Sequence, residues 1–227
     1  MVSILDCISY IENANLALYQ TSKVTEWRDT KRNMADKNIL THVGTKEIET
    51  NRLIMRRFAY TDSDTMLQYW IGDESIQSLY CEPVYTTKEE VEKLLEQYIT
   101  AYDKEDFYRW AIIDKITNAC IGQIAYFMVD TKNHFAEIEY CIGSAFQGKG
   151  LATEAAKAVI AYGFEEMNLH KVQICTKTIN QKSRRVIEKC GLTYEGTLRD
   201  FFYEDGKYVG RLYFSILRQE YEAMKNS

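Results

Sequence analysis

A glycine-containing turn at residues 147–152 (QGKGLA) most constrains the fold, because it joins two segments with different hydrophobic periods. An extended apolar run from Ile138 to Phe146 precedes the turn, and apolar residues at helical spacing follow it as far as Met167. We therefore predict a strand, a tight turn and a helix in this order. Free backbone N–H groups and the positive end of the helix dipole would meet at the turn, which suits a phosphate or pyrophosphate.

Two common phosphate-binding motifs do not fit this turn. A P-loop requires lysine and then serine or threonine after its second glycine, but Gly150 is followed by Leu151. A dinucleotide-binding fingerprint requires a third glycine at the position that Thr153 occupies. The remaining pattern is Q-x-x-G-x-A, which taken alone is equally compatible with an ordinary turn before a helix.

A second motif follows the predicted helix and an alternating strand at residues 171–176. Asn180 and Ser183 form an Asn-x-x-Ser pattern, and Gly191 comes just after the end of another helical segment. Together the two motifs resemble the acetyl-coenzyme A (acetyl-CoA) site of the GNAT acetyltransferases, whose pyrophosphate signature is Q/R-x-x-G-x-G/A.

Three further segments resemble the RimJ/RimL branch of this superfamily, the ribosomal-protein N-acetyltransferases. Residues 51–58 (NRLIMRRF) are similar to its opening strand, and residues 136–140 (AEIEY) to its AEIGY strand, with Glu139 replacing the glycine. Residues 212–217 (LYFSIL) match its final strand, except that Phe214 replaces a common tyrosine. The resemblance leaves the first 45 or so residues outside.

The resemblance implies an α+β fold with a GNAT-like mixed, mostly antiparallel central sheet flanked by helices. We expect an N-terminal extension at residues 1–46, the acetyltransferase domain at 47–222 and a tail at 223–227. Apolar residues between Ile4 and Ile11 indicate a short amphipathic helix in the extension. We expect this helix to pack against the domain; the alternatives are a cover over the substrate groove and a homodimer contact.

Local signals predict the other elements of the domain. Acidic and hydroxyl residues mark two helix starts, and an Asp-Gly dipeptide is typical of a tight hairpin. The expected elements are a strand at 50–58, a helix from Asp62 or Ser63 to about Trp70, a helix from Thr87 to Tyr102, strands at 107–114 and 119–129, and a final hairpin that turns at Asp205-Gly206.

The resemblance also implies which residues hold acetyl-CoA as cosubstrate. The amides of the glycine turn would bind the pyrophosphate, with Gln147 shaping the turn, and the backbone of residues 140–142 would run beside the pantetheine arm. The second motif would face the pantetheine and the sulfur. The expected cofactor-binding residues are Tyr140, Cys141, Ile142, Gln147, Gly148, Lys149, Gly150, Leu151, Ala152, Thr153, Asn180 and Ser183.

Two glutamates are candidates for the base that accepts the proton of the acceptor amine. Glu137 and Glu139 are two residues apart on a strand, so both point to one face of the sheet, and Cys141 continues the row. Glu137 is the stronger candidate because it matches the branch pattern. The alternative is that both carboxylates form ion pairs with Lys or Arg on a sheet face.

The general acid is less clearly marked, because the chain departs from the superfamily at two positions. Ile187 stands where many members have a catalytic tyrosine, and Thr176 stands where peptide-specific members often have a glutamate. The proton for the leaving thiolate must then come from Ser183, Tyr213 or water. The alternative role for Ser183 is that of an ordinary hydroxyl in the first turn of a helix.

Composition limits the partners and the compartment. A net charge of −5 and a pI near 5.4 disfavour nucleic acid and suit a cationic amine. The chain has no apolar run long enough to span a membrane and no recognisable signal peptide. Six cysteines without C-x-x-C spacing and three scattered histidines indicate reduced thiols, no metal site and a cytoplasmic protein.

The favoured function is transfer of an acetyl group to a primary amine by direct attack in a ternary complex, with a protein N-terminus as the first candidate acceptor. A small amine, such as a polyamine, an amino acid or an aminoglycoside, is the alternative within the enzyme class. A non-catalytic acyl-CoA-binding module is the alternative outside it.

Overall fold

Three long apolar segments in the middle of the chain form neighbouring antiparallel strands. These are β3 (Tyr108–Asp114), β4 (Cys120–Asp130) and β5 (Phe135–Ile142), and each pairs with the next because only a short turn separates them. The computed structural model describes residues 39–226, and the compact unit to which these strands belong begins at Leu40. The predicted helix between Ile4 and Ile11 lies outside the described residues.

The other described strands extend the sheet on both sides. They are β1 (Ile48–Glu49), β2 (Leu53–Arg56), β6 (Lys171–Lys177), β7 (Thr193–Glu204) and β8 (Lys207–Leu217). The eight described strands are ordered β1-β2-β3-β4-β5-β6-β8-β7, and β5 and β6 form the one parallel pair among them. The predicted fold class, a mixed and mostly antiparallel sheet flanked by helices, is therefore confirmed.

Helices cover both faces of this sheet. They are α1 (Ser63–Met66), which continues into a π-helical turn (Leu67–Ile71), α2 (Glu74–Tyr80), α3 (Lys88–Ala101), α4 (Leu151–Glu165), α5 (Gln181–Lys189) and α6 (Arg218–Lys225). The capping box predicted at the start of α3 is confirmed, since the side chains of Thr87 and Glu90 each accept the other residue's backbone N–H.

Alternation along the central strands divides the interior into two cores. Trp110, Ile124 and Ile138 face α4 and α5, and they belong to the larger core. Ala111 and Cys141 face the other way, toward α1, α2 and α3, where the smaller core includes Trp70 and Leu95. The sheet therefore separates one face that carries the glycine turn and α4 from a second face that is walled by α1–α3.

The parallel strands β5 and β6 diverge at their carboxyl ends. Their pairing runs from Phe135 and Lys171 to Ile138 and Ile174, and residues 139–142 have no partner on β6. Crevices at the carboxyl ends of parallel strands are the usual binding positions in α/β arrangements. The opening connects the two faces of the sheet at the point where α4 and α5 begin.

Several element boundaries differ from the predicted ones for physical reasons. The prediction that the strand before the glycine turn extends to Phe146 is wrong, because residues Ser144–Phe146 form a 3₁₀ turn. The predicted strand at 50–58 is confined to β2, since the N–H of Thr50 turns back to the carbonyl of Leu53. Sequence patterns gave no signal for α2, whose seven residues are mostly polar or small. The tail expected at 223–227 overlaps α6.

The final hairpin has the predicted turn and an irregular outer strand. Asp205 and Gly206 have φ angles of 48° and 75°, the mirror-image turn that matches the twist of two strands. The register of β7 against β8 shifts between Leu198 and Phe202, where Asp200 has a φ of 52°. This β-bulge turns Phe201 and Phe202 toward charged side chains near the site described below.

Candidate functional site

The glycine turn presents a row of free amides. Gly148 and Gly150 have φ angles of 74° and 81°, a left-handed conformation that favours glycine, and Gly150 is the N-cap of α4. The first hydrogen bond that enters the helix runs from the Glu154 N–H to the Gly150 carbonyl at 3.0 Å. Within residues 39–226, the amides of residues 148–153 have no protein acceptor. This geometry fits an anion such as a pyrophosphate.

An arginine holds this turn from behind. The Nη1 of Arg52 donates to the carbonyl of Lys149 at 2.9 Å, and its Nε donates to the Glu154 carboxylate at 2.7 Å. Thr50 also donates to this carboxylate, at 2.7 Å. Partial burial raises the pKa of Glu154, but the bonds from Thr50 and Arg52 outweigh it, so the net pKa is lowered. These contacts of Arg52, which we call the Arg52 clamp, hold the Lys149 carbonyl toward Arg52, and they leave the amides of residues 148–153 free.

Gln147 bridges the two sides of the opening between β5 and β6. Its Nε2 donates to the carbonyl of Ile142 at the end of β5, at 2.9 Å. Its Oε1 accepts from the Nζ of Lys182 in the first turn of α5, also at 2.9 Å. These two hydrogen bonds support the predicted role of Gln147 in shaping the turn.

The second predicted motif forms the start of α5. The Oδ1 of Asn180 accepts the N–H of Ser183 at 3.0 Å, so this asparagine caps the helix. The Ser183 hydroxyl lies 2.9 Å from the hydroxyl of Tyr140, which belongs to the end of β5 that pairs with β4 but not with β6. Burial raises the pKa of Tyr140, and the bond with Ser183 lowers it by less. Two hydroxyl groups thus meet beside the opening, on the face that carries α4 and α5.

Glu137 lies on the opposite face and is fully engaged. Its side chain is 4% exposed, its Oε1 accepts from Arg211 at 2.6 Å and its Oε2 accepts from Gln173 at 2.7 Å. The alternative to a base role, an ion pair between Glu137 and an arginine, is therefore supported by the contact with Arg211. Tyr213 stacks with the same guanidinium at 4.8 Å. Burial raises the pKa of Tyr213, Arg211 lowers it, and the Glu137 charge raises it again.

Glu139 is also paired, on the same face. Its Oε1 accepts from Arg109 at 2.6 Å, and Arg109 donates in addition to Gln123 at 2.7 Å and stacks on the ring of Tyr98 at 4.7 Å. Burial raises the pKa of the neighbouring Tyr80 hydroxyl. The two glutamates of β5 therefore sit in two separate ion pairs, one with an arginine from β3 and one with an arginine from β8.

Glu82 is a carboxylate that the sequence interpretation missed. It follows Cys81, the left-handed residue that ends α2, and its N–H donates to the Gln77 carbonyl at 3.1 Å. Burial raises the pKa of Glu82, the negative charge of Glu139 raises it further, and Arg109 lowers it. Glu82 has no ion-pair partner among residues 39–226. Glu82 is exposed, and it lies near enough to Glu139 and Arg109 for both charges to act on its pKa.

The structure brings together only part of the predicted catalytic set. Tyr140 and Ser183 meet on the face of α4 and α5, whereas Glu137 and Tyr213 share the opposite face with Arg211. The two acid candidates therefore approach the opening from different sides. Ile187 is fully buried, so the position of the superfamily tyrosine is part of the core here. Thr176 is also buried.

Several charged residues of the site carried little signal in the sequence. Arg52 was visible only as part of the opening-strand pattern, and nothing linked it to a residue a hundred positions later. Arg211 could have been found, since it lies two residues before Tyr213 and so shares its face. Arg109 pairs with Glu139 through a non-local contact, for which a single sequence has no signature.

Comparison with known families decides what this geometry belongs to. Residues 52–193 match the family model described as an acetyltransferase (GNAT) domain, which is more than half of the chain. The chain belongs to the GNAT acetyltransferases. This acetyltransferase is therefore an enzyme that uses acetyl-CoA as its acetyl donor, as the sequence motifs predicted.

Relatives of this GNAT acetyltransferase agree with the assignment. A Bacillus licheniformis protein named uncharacterized N-acetyltransferase p20 is 30% identical over 172 residues, which is 76% of this chain and 96% of that protein. YdaF of Bacillus subtilis strain 168, provisionally named a ribosomal N-acetyltransferase, is 41% identical over 104 residues, 46% of this chain and 57% of YdaF. The RimJ/RimL-like branch is confirmed by this match.

A solved relative has a related fold and bound ligands. The spermidine N-acetyltransferase from Vibrio cholerae in complex with CoA and spermine has a TM-score of 0.66 and 25% identity. The similarity covers 76% of this chain and 99% of that one. None of the helices within residues 39–226 could span a membrane, and the same residues contain no group of three or more His, Cys, Asp or Glu side chains that could hold a metal ion.

The residues of this GNAT site fit acetyl-CoA on structural grounds. The free amides at 148–153 suit the pyrophosphate, and the end of β5 leaves backbone groups available on the edge where β6 no longer pairs with it. When bound, acetyl-CoA would supply an activated thioester. The chain's own contribution is the Arg52 clamp behind the turn and the hydroxyl pair of Tyr140 and Ser183 beside the opening.

Proposed function

We propose that this enzyme acetylates the N-terminal α-amine of a protein or peptide, by direct attack of the amine in a ternary complex. The observation that carries the proposal is the charge balance on the face opposite α4. Glu137, Glu139 and Glu204 each have a cationic partner there, and Glu82 has none in the described chain. One unneutralised carboxylate suits one ammonium group, whereas a polyamine carries several.

The weakness of the available bases supports the same acceptor. An α-amino group has a pKa of about 8, while a lysine-type amine has one of about 10.4, so the α-amine loses its proton far more readily. Glu137 is held by Arg211 and Gln173, and both of its oxygens are occupied. We assign to Glu137 the positioning of Arg211, and to Glu82 the attraction of the substrate ammonium. Deprotonation of the α-amine then needs only a weak base or water.

We assign the proton for the leaving sulfur to Ser183, whose hydroxyl would pass its proton to the sulfur and take one in turn from the Tyr140 hydroxyl or from solvent. Its hydroxyl contacts the Tyr140 hydroxyl, and both lie beside the opening on the side where the glycine turn would hold the cosubstrate. A coenzyme A thiol that resembles cysteine has a pKa of about 8.5, so the leaving group needs little acid assistance. Tyr213 is the second candidate acid, because it lies near Arg211 on the face opposite α4, where we propose that the acceptor enters.

A small amine is the second candidate acceptor, and one observation favours it. The relative from Vibrio cholerae that shares this fold is a spermidine N-acetyltransferase. Against it stands the pairing of Glu137, Glu139 and Glu204 with cations of the chain, which makes these three carboxylates unavailable to a polyamine.

Coenzyme A release with matched acceptors tests the proposal. We would compare a peptide with a free N-terminus, the same peptide with a blocked N-terminus and an internal lysine, and spermidine. The proposal predicts that kcat/KM for the free peptide exceeds that for the other two by about tenfold or more, because each tenfold step needs only ~1.4 kcal/mol of differential binding. A higher kcat/KM for spermidine would contradict it.

A further inference from the structure

A buried lysine connects three elements on the face of the sheet opposite α4. Lys177 is the last residue of β6, beyond the point where β6 stops pairing with β5, and its side chain is 2% exposed. Burial of an ammonium costs free energy unless it is paired and hydrogen-bonded. The contacts that stabilise this buried ammonium therefore indicate which parts of the structure it holds together.

Three partners surround Lys177, and they come from different elements. Its Nζ donates to the Ser78 carbonyl in the last turn of α2 at 2.5 Å, forms an ion pair with the Glu204 carboxylate at the end of β7, and lies 5.1 Å from the centre of the Phe202 ring. The helix carbonyl is an acceptor at the negative end of the α2 dipole. One side chain thus links β6, α2 and the tip of the β7–β8 hairpin.

The linked elements carry or adjoin residues that the proposed function assigns to the acceptor. Glu82 lies two residues after the end of α2, and β8 carries Arg211, the cross-strand neighbour of Lys177. Arg211 is itself occupied by Glu137, so the two cations on adjacent strands each have their own carboxylate. The separation of α2 from the hairpin is therefore set at Lys177, while the β-bulge of β7 supplies Phe202 to cover the ammonium.

We propose that Lys177 is a positioning residue for the acceptor, which fixes the distance between α2 and the β7–β8 hairpin and so sets the width of the acceptor groove. This inference rests on the proposed entry of the acceptor on this face, and it holds for a peptide or for a small amine. Without the contacts of Lys177, α2 and the β7–β8 hairpin can move apart, and the acceptor binds less tightly. The glycine turn and α4 lie on the other face, so binding of acetyl-CoA is unaffected.

The test separates the Michaelis constants of the two substrates. Lys177→Met is expected to raise the KM of the acceptor by about tenfold and to leave the KM of acetyl-CoA within about twofold. Lys171→Met is the matched control, because Lys171 lies on the same strand and pairs with Glu195 at 2.8 Å at the paired end of β6. Simple destabilisation would lower the active fraction, and so kcat, without changing either KM.

Glu204→Gln keeps the proposal testable if Lys177→Met does not fold. Glu204 is 33% exposed, so this variant is expected to fold and to raise the acceptor KM in the same direction by about threefold. An unchanged acceptor KM in the folded variants, or an equal rise for acetyl-CoA, would overturn the proposal. The acceptor is whichever amine the wild-type enzyme turns over, so turnover of spermidine alone would refute the peptide proposal and leave this test intact.

Discussion

Replacing Arg52 with methionine should weaken acetyl-CoA binding selectively. The change removes the hydrogen bond to the Lys149 carbonyl and the ion pair with Glu154, and keeps most of the apolar stem. Glu154 retains its bonds from Thr50 and from the Arg52 backbone N–H, so the helix start should survive. The variant loses the hydrogen bond that holds the Lys149 carbonyl toward Arg52 and keeps it from facing the expected anion.

The structure sets the size of this effect. Arg52 is 40% exposed and Glu154 is 17% exposed, so the pair is partly screened by solvent. A half-exposed ion pair contributes up to about 1 kcal/mol, and a hydrogen bond with a charged donor about 1.5 kcal/mol, part of which the turn recovers by relaxing. We therefore expect a loss of about 1 to 2 kcal/mol, which corresponds to a rise of about fivefold to thirtyfold in the Kd of acetyl-CoA.

Isothermal titration with acetyl-CoA, together with steady-state kinetics, measures this effect. Lys46→Met is the control, because Lys46 pairs with Glu166 at 3.2 Å at the opposite end of α4 and both side chains are about half exposed. The control should bind acetyl-CoA as the wild type does. If Arg52→Met is folded and its Kd is unchanged, the clamp has no role in binding, and the reasoning about the turn is refuted.

Three further changes test other parts of the site. Gly150→Ala places a side chain at a φ of 81°, which costs about 1–2 kcal/mol of strain, so acetyl-CoA should bind about tenfold more weakly. Gly206→Ala is the control, because its φ of 75° lies in the hairpin turn; this variant should lower Tm and leave the Kd of acetyl-CoA unchanged. Because the leaving thiol needs little acid assistance, Ser183→Ala should reduce kcat by about threefold to tenfold, and Tyr213→Phe should leave kcat nearly unchanged. The reverse order in single-turnover rates would move the acid role to Tyr213. Glu82→Gln should raise the acceptor KM by about fivefold. The pKa of Glu82 is raised, and only the deprotonated carboxylate attracts an ammonium group. In the wild type, acceptor affinity should therefore increase as the pH rises through that pKa and decrease as the pH falls through it. If the Glu82→Gln variant keeps the wild-type pH profile, Glu82 does not bind the acceptor.

Much of the cofactor side of the site could be predicted from the sequence, because its signals are local. The two glycines and the cap at Asn180 each need a particular backbone conformation that few residue types adopt. The alternation of residues along β5 also predicts that Glu137 and Glu139 share one face of the sheet, and the register of the strand confirms it.

The acceptor side could not be predicted in the same way, because it depends on contacts between distant segments. The partner of Glu139 is Arg109, and the partners of Lys177 come from α2 and β7. Nothing in a single sequence links these positions. The short, polar helix α2 has no apolar period to reveal it, and yet its end supplies both Ser78 and Glu82.

The location of the transferred acetyl group tests the central claim most directly. One reaction would contain acetyl-CoA, spermidine and an equimolar peptide that has a free N-terminus and an internal lysine, and tandem mass spectrometry would locate the product. The charge balance around Glu82 predicts acetylation of the peptide α-amine. Acetyl groups found mainly on spermidine or on the lysine side chain would contradict the account.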